Sequence, residues 1–151
     1  MTICELCLSL IDEHRLEIKS LLKQSFEISF PSERIDEDFL CNQVEFLREY
    51  MEQNKAKVFG ALINGQLVGF VWVFEKESIN SRVLHINHLV VDEGLRRRGI
   101  GRLLLQAVRD YAIKRQVEEV ELMVSKVNQA AIGFYEKNGF ETSRYLMNMI
   151  V

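Results

Sequence analysis

The sequence predicts an α/β (α+β) protein in which a mixed sheet carries helices on both faces. One observation is a hairpin, because apolar, strand-like runs at 58–63 and 66–75 are joined by Asn64-Gly65, a dipeptide favoured in two-residue turns. A second observation is that stretches with apolar residues at helical spacing alternate along the chain with such runs. The expected order of elements is therefore β-α-α-β-β-β-α-β-α-β.

Each helix or strand is predicted from the spacing of its apolar residues and from the residues at its two ends. Residues 2–9 show the two-residue periodicity that is typical of a strand. Pro31, the only proline, separates the first two helices, and Gly139 supplies the stop of the last helix. The expected helices are 12–26, 36–53, 99–114 and 128–138, and further strands are expected at 58–63, 66–75, 82–91 and 120–124. Residues 141–150 are expected to form a final strand or strand pair.

Length and composition indicate a single domain over residues 1–151. Hydrophobic residues make up 48% of the chain and charged residues 27%, which is ordinary for a soluble globular protein. The net charge is −3, so we expect no broad basic face and no nucleic-acid partner. No apolar run approaches the roughly 18 residues that a membrane span needs, so no membrane partner is expected either.

The three cysteines are expected to be reduced thiols of a cytoplasmic protein. Cys4 and Cys7 form a C-x-x-C pair, and Cys41 stands apart. Metal or redox use of the pair is the alternative. No second Cys/His pair follows to complete a zinc site, and no signal peptide is recognisable, so we expect neither a bound metal nor a disulfide.

Residues 89–102, which read LVVDEGLRRRGIGR, predict an anion site at the start of a helix. The apolar residues 89–91 end a strand, and Gly99 and Gly101 allow the backbone to approach a ligand closely. The first amides of the helix lack internal partners, and the helix dipole adds partial positive charge at the same place. A phosphate or pyrophosphate is the natural occupant. Full charges around it come from Arg96, Arg97, Arg98 and Arg102.

Two other phosphate motifs do not fit this stretch. A P-loop ends in Lys-Ser or Lys-Thr, which is absent here. The dinucleotide fingerprint needs a third glycine at the position of Leu104. From these residues alone, the remaining alternative is an exposed basic helix start with glycine caps.

A second motif accompanies the arginine stretch. Residues 128–140 read NQAAIGFYEKNGF, and residues 96–101 read RRRGIG. Residues 96–101 resemble the signature R/Q-x-x-G-x-G/A of the GCN5-related N-acetyltransferases, the GNAT family. Residues 128–140 resemble the second signature of that family, N-x-x-A-x-x-F-Y-x-x-x-G-F, and the two motifs follow each other in the family's order. The resemblance implies a mostly antiparallel sheet of six to seven strands. It also implies acetyl-CoA as co-substrate, no metal, and acetyl transfer to a primary amine by direct attack in a ternary complex.

The resemblance also implies which residues hold acetyl-CoA. The pyrophosphate is expected on the amides of residues 97–102. The pantetheine arm is expected on the main chain of residues 89–91, where a bulge leaves backbone groups unpaired. Asn128 is expected to contact the cofactor, with a role as helix N-cap as the alternative. The full expected set is Leu89, Val90, Val91, Arg96, Arg97, Arg98, Gly99, Ile100, Gly101, Arg102, Asn128 and Tyr135.

Tyr135 matches the general acid of the family, and its alternative role is that of a core aromatic. The strand 82–91 has no carboxylate to act as base, but it has His85 and His88. His88 lies on the opposite strand face from His85 unless a bulge intervenes. The alternatives for the base are His85, His88, or a chain of water molecules without a side-chain base.

The acceptor is expected to be a small-molecule or peptide amine, chosen mainly by residues 20–55 and by the last strands. Acidic side chains within residues 27–45 would attract a cationic amine, and a solvated helix face is the alternative. Homodimers are common in the family, so a homodimer is a further expectation. The alternative function is a non-catalytic acyl-CoA-binding sensor or regulator with the same fold.

Overall fold

The computed structural model describes all 151 residues. A short 3₁₀ turn, Glu93–Leu95, precedes the fourth helix. The strands are β1 (Thr2–Glu5), β2 (Ala56–Ile63), β3 (Gln66–Glu77), β4 (Arg82–Val91) and β5 (Glu119–Leu122). The helices are α1 (Leu8–Glu13), α2 (Arg15–Ser29), α3 (Glu37–Glu52), α4 (Ile100–Lys114) and α5 (Gln129–Lys137).

The five strands form one sheet in the order β1-β2-β3-β4-β5. The first three pairings are antiparallel, and β5 runs parallel to β4. Parallel neighbours need a crossover, which α4 provides. The turn between β2 and β3 has φ values of 51° at Asn64 and 79° at Gly65, as the favoured hairpin turn requires. The mixed, mostly antiparallel sheet and the hairpin are confirmed.

Helices cover both faces of the sheet, as expected. Helices α1, α2 and α3 pack on one face around Ile18, Val44, Phe70 and Trp72. Helix α4 packs on the other, and its buried residues meet side chains of β2, β3 and β4. Phe134 of α5 packs against this second core. The sheet is therefore buried between two apolar clusters, one under the three preceding helices and one under the crossover helix α4.

The expected count of six to seven strands is wrong, because the sheet has five. Residues 141–150 do not form a strand, and every one of them is exposed. The apolar run at the end of this stretch shows only that it could form a strand. A strand also needs a neighbouring edge to take up its backbone hydrogen bonds, and the sequence does not say whether one is adjacent.

The expected boundaries near the start are also wrong. The first strand ends at Glu5 instead of residue 9, and the first predicted helix is two helices that meet at His14. His14 is buried and has φ −96° and ψ 20°, outside helical values. A period-2 run of few residues also fits one helical turn, so the pattern did not distinguish the two states here.

Candidate active site

A bulge in β4 decides where the two candidate histidines lie. Trp72 of β3 pairs with His88, whereas the next residue, Val73, pairs with Ile86. Asn87 is therefore the extra residue of the bulge. His85 and His88 consequently lie on the same face of the sheet, towards α2 and α3. The sequence placed them on opposite faces unless a bulge intervened, and the bulge is present.

Aromatic rings of the α2 and α3 side surround both histidines. The His85 ring lies 5.0 Å from the Phe74 ring. The His88 ring lies 5.2 Å from that of Phe26 and 6.1 Å from that of Trp72. Burial lowers the pKa of His88 to about 4, so its imidazole is neutral at neutral pH.

Glu121 of β5 orients His85, and sequence reasoning did not find it. The two residues are partners in the parallel register, and Nδ1 of His85 lies 3.1 Å from Oε1 of Glu121. Lys76 also forms an ion pair with this carboxylate. Burial raises the pKa of Glu121, but the hydrogen bonds from Lys76 and His85 outweigh it and leave the pKa below its usual range. A neutral His85 thus carries its proton on Nδ1 and leaves Nε2 as an acceptor.

A carboxylate is thus present beside His85, on the strand next to β4. The sequence showed an acidic residue within the expected strand 120–124. The register that places this residue beside His85 depends on how β4 and β5 pair, and the sequence of neither strand by itself indicates it.

Strands β4 and β5 separate immediately after His85 and Ile86. The pairing with β5 covers only Val83 to Ile86 of β4. From Asn87 to Val91 the corresponding edge of β4 has no strand partner. Backbone groups of a strand point alternately to its two sides, and the amide of Asp92 bonds to Val68 of β3, so the groups of Val90 also face β3. On the open side the carbonyl of Val91 accepts a hydrogen bond from Arg96, and the backbone groups of Leu89 and the amide of Val91 are available to another hydrogen-bonding chain.

The arginine stretch forms a tight turn that leads directly into α4. Arg97 has φ 63° and Gly99 has φ 82°, so the turn uses the left-handed region twice. The first internal helix bond runs from the amide of Leu103 to the carbonyl of Gly99. The amides of residues 100–102 therefore have no helical partner and carry the positive end of the helix dipole. The four arginine side chains are exposed around them.

Helix α2 holds the turn before the arginines in place. The side-chain amide nitrogen of Gln24 lies 3.1 Å from a carboxylate oxygen of Asp92, and the Gln24 oxygen accepts a hydrogen bond from the amide of Glu93 at 2.9 Å. Asp92 also accepts a hydrogen bond from the amide of Gly94. Arg96 donates to the carbonyl of Val91 at 3.1 Å. Sequence reasoning did not find this link, because its partners are far apart in the chain.

A cleft of about 370 Å³ lies between β4, the arginine turn, α2 and α5. Ser25 and Ile28 of α2 form one of its walls. The candidate residues that line it are Leu89, Val90, Val91, Arg96, Arg97, Gly99, Ile100, Gly101, Arg102, Asn128 and Tyr135. Arg98, His85 and His88 do not line it. The structure thus gathers nearly all of the candidate cofactor contacts in one cleft and leaves both histidines outside its wall.

Close packing between α4 and α5 shapes the floor of this cleft. A Cβ atom on Gly101 would lie 3.3 Å from the ring of Phe134, so the glycine allows α5 to approach. Asn128 begins α5, and its side-chain oxygen accepts a hydrogen bond from the amide of Ala131 at 3.2 Å. The N-cap alternative for Asn128 is therefore confirmed, and the same residue also lines the cleft.

Tyr135 reaches the cleft from the last turn of α5. Its ring packs edge-on against Phe134 and Phe140, with ring centres 5.3 and 5.4 Å away. Burial raises the pKa of its hydroxyl to about 12, so the phenol keeps its proton at neutral pH. A protonated phenol in a cleft can donate to an atom that gains negative charge there.

A sequence model of the acetyltransferase (GNAT) family matches residues 15–140. The chain belongs to this family. The match spans both signature motifs and every element from α2 to α5. The resemblance found in the two motifs is thereby confirmed.

The name of one relative agrees with the GNAT assignment, and a solved structure shares the fold. An uncharacterised N-acetyltransferase of Methanocaldococcus jannaschii is 33% identical over 132 residues, which cover 82% of this chain and 58% of that protein. The chain thus spans less than two thirds of that relative. The tetramutant of the BH1408 protein of Bacillus halodurans superposes with a TM-score of 0.84 at 22% identity, covering all of both chains.

The fold is also that of a structure solved with a coenzyme A derivative. AAC(6')-Iy, in complex with the bisubstrate analogue CoA-S-monomethyl-acetylneamine, superposes with a TM-score of 0.74 at 19% identity. The superposition covers 99% of this chain and 97% of that one. In this GNAT chain, none of the helices combines the length and the apolar character that crossing a membrane requires.

Proposed function

We propose that the protein transfers the acetyl group of acetyl-CoA to a primary amine by direct attack in a ternary complex. One observation carries the proposal. A single cleft joins the unpartnered amides at the start of α4, the unpaired edge of β4 and the protonated phenol of Tyr135. Together these three features match the diphosphate, the amide-bearing arm and the sulfur of a CoA thioester.

Each part of the cleft suits one part of acetyl-CoA. The free amides of residues 100–102 and the exposed charges of Arg96, Arg97, Arg98 and Arg102 suit the diphosphate. The stretch Leu89, Val90 and Val91 suits the pantetheine amides, which would add to the open strand edge through the backbone of Leu89 and the amide of Val91. Asn128 lies at the wall of the cleft with its amide nitrogen 3.5 Å from the hydroxyl of Ser29.

Tyr135 is proposed as the general acid. In the transfer, the amine nitrogen forms a bond to the acetyl carbon, and the carbon–sulfur bond breaks. The leaving sulfur needs a proton, and the buried phenol can supply it because its raised pKa keeps it protonated before the reaction.

His85 is proposed as the base that takes the proton of the attacking amine, through a water molecule. Glu121 fixes the His85 ring so that Nε2 is the acceptor. His85 does not line the CoA cleft, so a water molecule has to bridge the distance. His88 is the weaker candidate, because its low pKa makes it a poor proton acceptor at neutral pH.

The acceptor is proposed to approach from the side of α2 and α3, where both histidines point. Its class is a small-molecule or peptide amine. A membrane or a nucleic acid is not part of the proposal, and the active form is proposed to be a homodimer.

Titration calorimetry with acetyl-CoA, followed by an assay of CoA release over a panel of amines, tests the function. We expect one acetyl-CoA per chain and turnover with at least one amine class. Absence of acetyl-CoA binding would overturn the proposal. Binding without turnover for any amine, unchanged in Tyr135→Phe and His85→Ala, would instead favour a non-catalytic acyl-CoA sensor.

A further inference from the structure

Gln24 joins α2 to the turn before the arginines, which lies 68 residues further along the chain. Its side-chain nitrogen donates to one carboxylate oxygen of Asp92 at 3.1 Å, and its side-chain oxygen accepts from the backbone amide of Glu93 at 2.9 Å. A backbone amide only donates and an ionised carboxylate only accepts, so these two partners fix the orientation of the Gln24 amide group. Both ends of the side chain therefore hold the same turn.

Asp92 extends this hold further into the turn. Its second carboxylate oxygen accepts a hydrogen bond from the amide of Gly94 at 3.0 Å, and its carbonyl accepts one from the amide of Leu95 at 2.9 Å. Its own amide donates to the carbonyl of Val68 on β3. Three consecutive amides of the turn thus bond either to Gln24 or to Asp92. The turn is consequently fixed between the sheet and α2.

A strained residue follows this fixed turn. Arg97 has φ 63°, in the left-handed region that costs free energy for a residue with a side chain. Such a conformation persists where the surrounding structure imposes it. Gly99 then leads into α4, whose first amides have no helical partner. The contacts of Gln24 on one side and α4 on the other therefore constrain the arginine stretch.

Helix α2 also forms a wall of the cleft beside this turn. Ser25 and Ile28 line the cleft from α2, and Leu95 lines it from the turn. Gln24 and Ile28 lie four residues apart and so share one face of the helix. Gln24 itself does not line the cleft. Its effect on a ligand there would therefore pass through the turn.

We propose that Gln24 is a positioning residue for the diphosphate of acetyl-CoA. By fixing the turn at Asp92 and Glu93, it holds the arginine stretch in the conformation that directs the amides of residues 100–102 towards one anion. A ligand that meets a preformed site does not have to order it, so its affinity is higher. The proposal rests on the proposed function, because it takes acetyl-CoA as the occupant of the cleft.

Gln24→Met tests this role with little change in shape. Methionine has about the same length and a high helix propensity, but it cannot donate to Asp92 and accepts only weakly. We expect the dissociation constant of acetyl-CoA, measured by titration calorimetry, to rise about tenfold. Gln106→Met is the matched control and should leave that constant unchanged. Gln106 is exposed on α4, bonds to Asp110 and does not line the cleft.

A second ligand separates an effect on the turn from an effect on the whole cleft. S-acetylpantetheine carries the thioester and the pantetheine arm of acetyl-CoA but has no diphosphate. Its dissociation constant, measured by NMR titration, should agree within about twofold between the wild type and Gln24→Met. A loss of about tenfold for both ligands would overturn the proposal, because Gln24 would then act on the cleft as a whole.

Hydrogen exchange of the ligand-free protein tests the turn directly. The amides of Glu93, Gly94 and Leu95 should exchange faster in Gln24→Met than in the wild type, and Gln106→Met should leave them unchanged. Unchanged exchange in Gln24→Met would overturn the proposal. If the wild type binds acetyl-CoA and Gln24→Met binds it equally well, this proposal fails and the proposed function stands. A wild type that does not bind acetyl-CoA overturns both.

Discussion

Nδ1 of His85 lies 3.1 Å from Oε1 of Glu121, on the strand that runs parallel to its own. The carboxylate also carries the ion pair with Lys76. A histidine held in this way presents a fixed ring with Nε2 as its free acceptor. This pair is the part of the site that is least visible in the sequence, and it leads to the first prediction.

Replacing Glu121 by glutamine should lower kcat by roughly tenfold or more, because the ring of His85 loses its charged partner and its fixed proton position. In a His85→Ala background the same replacement should have no further effect, since positioning acts only through the histidine. Glu119→Gln, an exposed neighbour on β5, is the control. Additive effects of the two replacements in steady-state kinetics would contradict a positioning role.

Tyr135→Phe should reduce kcat by about 100-fold while leaving the acetyl-CoA dissociation constant within about twofold, because only proton donation is lost. Tyr111, which packs against Phe59 away from the cleft, provides the matched Tyr→Phe control. Kinetics with the best amine and calorimetry on the same preparations measure both quantities. If kcat were unchanged, Tyr135 would be a packing residue only.

Two glycines that have open space around them should respond in opposite ways to alanine. Gly99 has φ 82°, so Gly99→Ala should cost about 1 kcal/mol of unfolding free energy and weaken acetyl-CoA binding. Gly133 lies within α5 with an ordinary φ, so Gly133→Ala should stabilise the protein by roughly 0.5–1 kcal/mol. Urea unfolding and calorimetry test the pair. Equal shifts in stability would contradict the backbone argument.

Stability should depend on the protonation of His88. Burial lowers its pKa to about 4 in the folded protein, against about 6.5 in the unfolded chain. The unfolded chain binds the proton first, so stability is fully present above about pH 6.5 and is lost as the pH falls towards 4. The loss amounts to at most about 3 kcal/mol.

A His88→Phe variant should lack this part of the pH dependence. Urea unfolding of both proteins between about pH 7.5 and 4.5 gives the two stability curves. We expect the stability of the wild type to fall relative to that of the variant as the pH falls, because only the wild type has an unfolded state that takes up a proton at this position. Parallel curves would show that the pKa of His88 is the same in the folded protein and in the unfolded chain.

The sequence alone determined the parts of the fold and of the site that are local. Strand β4 has the expected bounds of 82–91, and α4 begins within one residue of the expected start. The Asn64-Gly65 turn and the cap at Asn128 also follow from a few adjacent residues. Each of these depends on dihedral preferences, helical spacing or amides that neighbouring residues supply, so the information lies within one stretch of chain.

Only the tertiary structure decided the features that depend on pairing. The bulge at Asn87 brings His88 to the face of His85, and the parallel register brings in Glu121 from β5. The same holds for residues 141–150, whose pattern predicted a strand that finds no neighbour in its own chain. A strand pattern specifies which side chains share a face, but the partner and the register are set by contacts between distant segments. The sequence thus indicated the residues of the cleft that is proposed to hold acetyl-CoA, and the sheet determined which groups accompany the two histidines of β4.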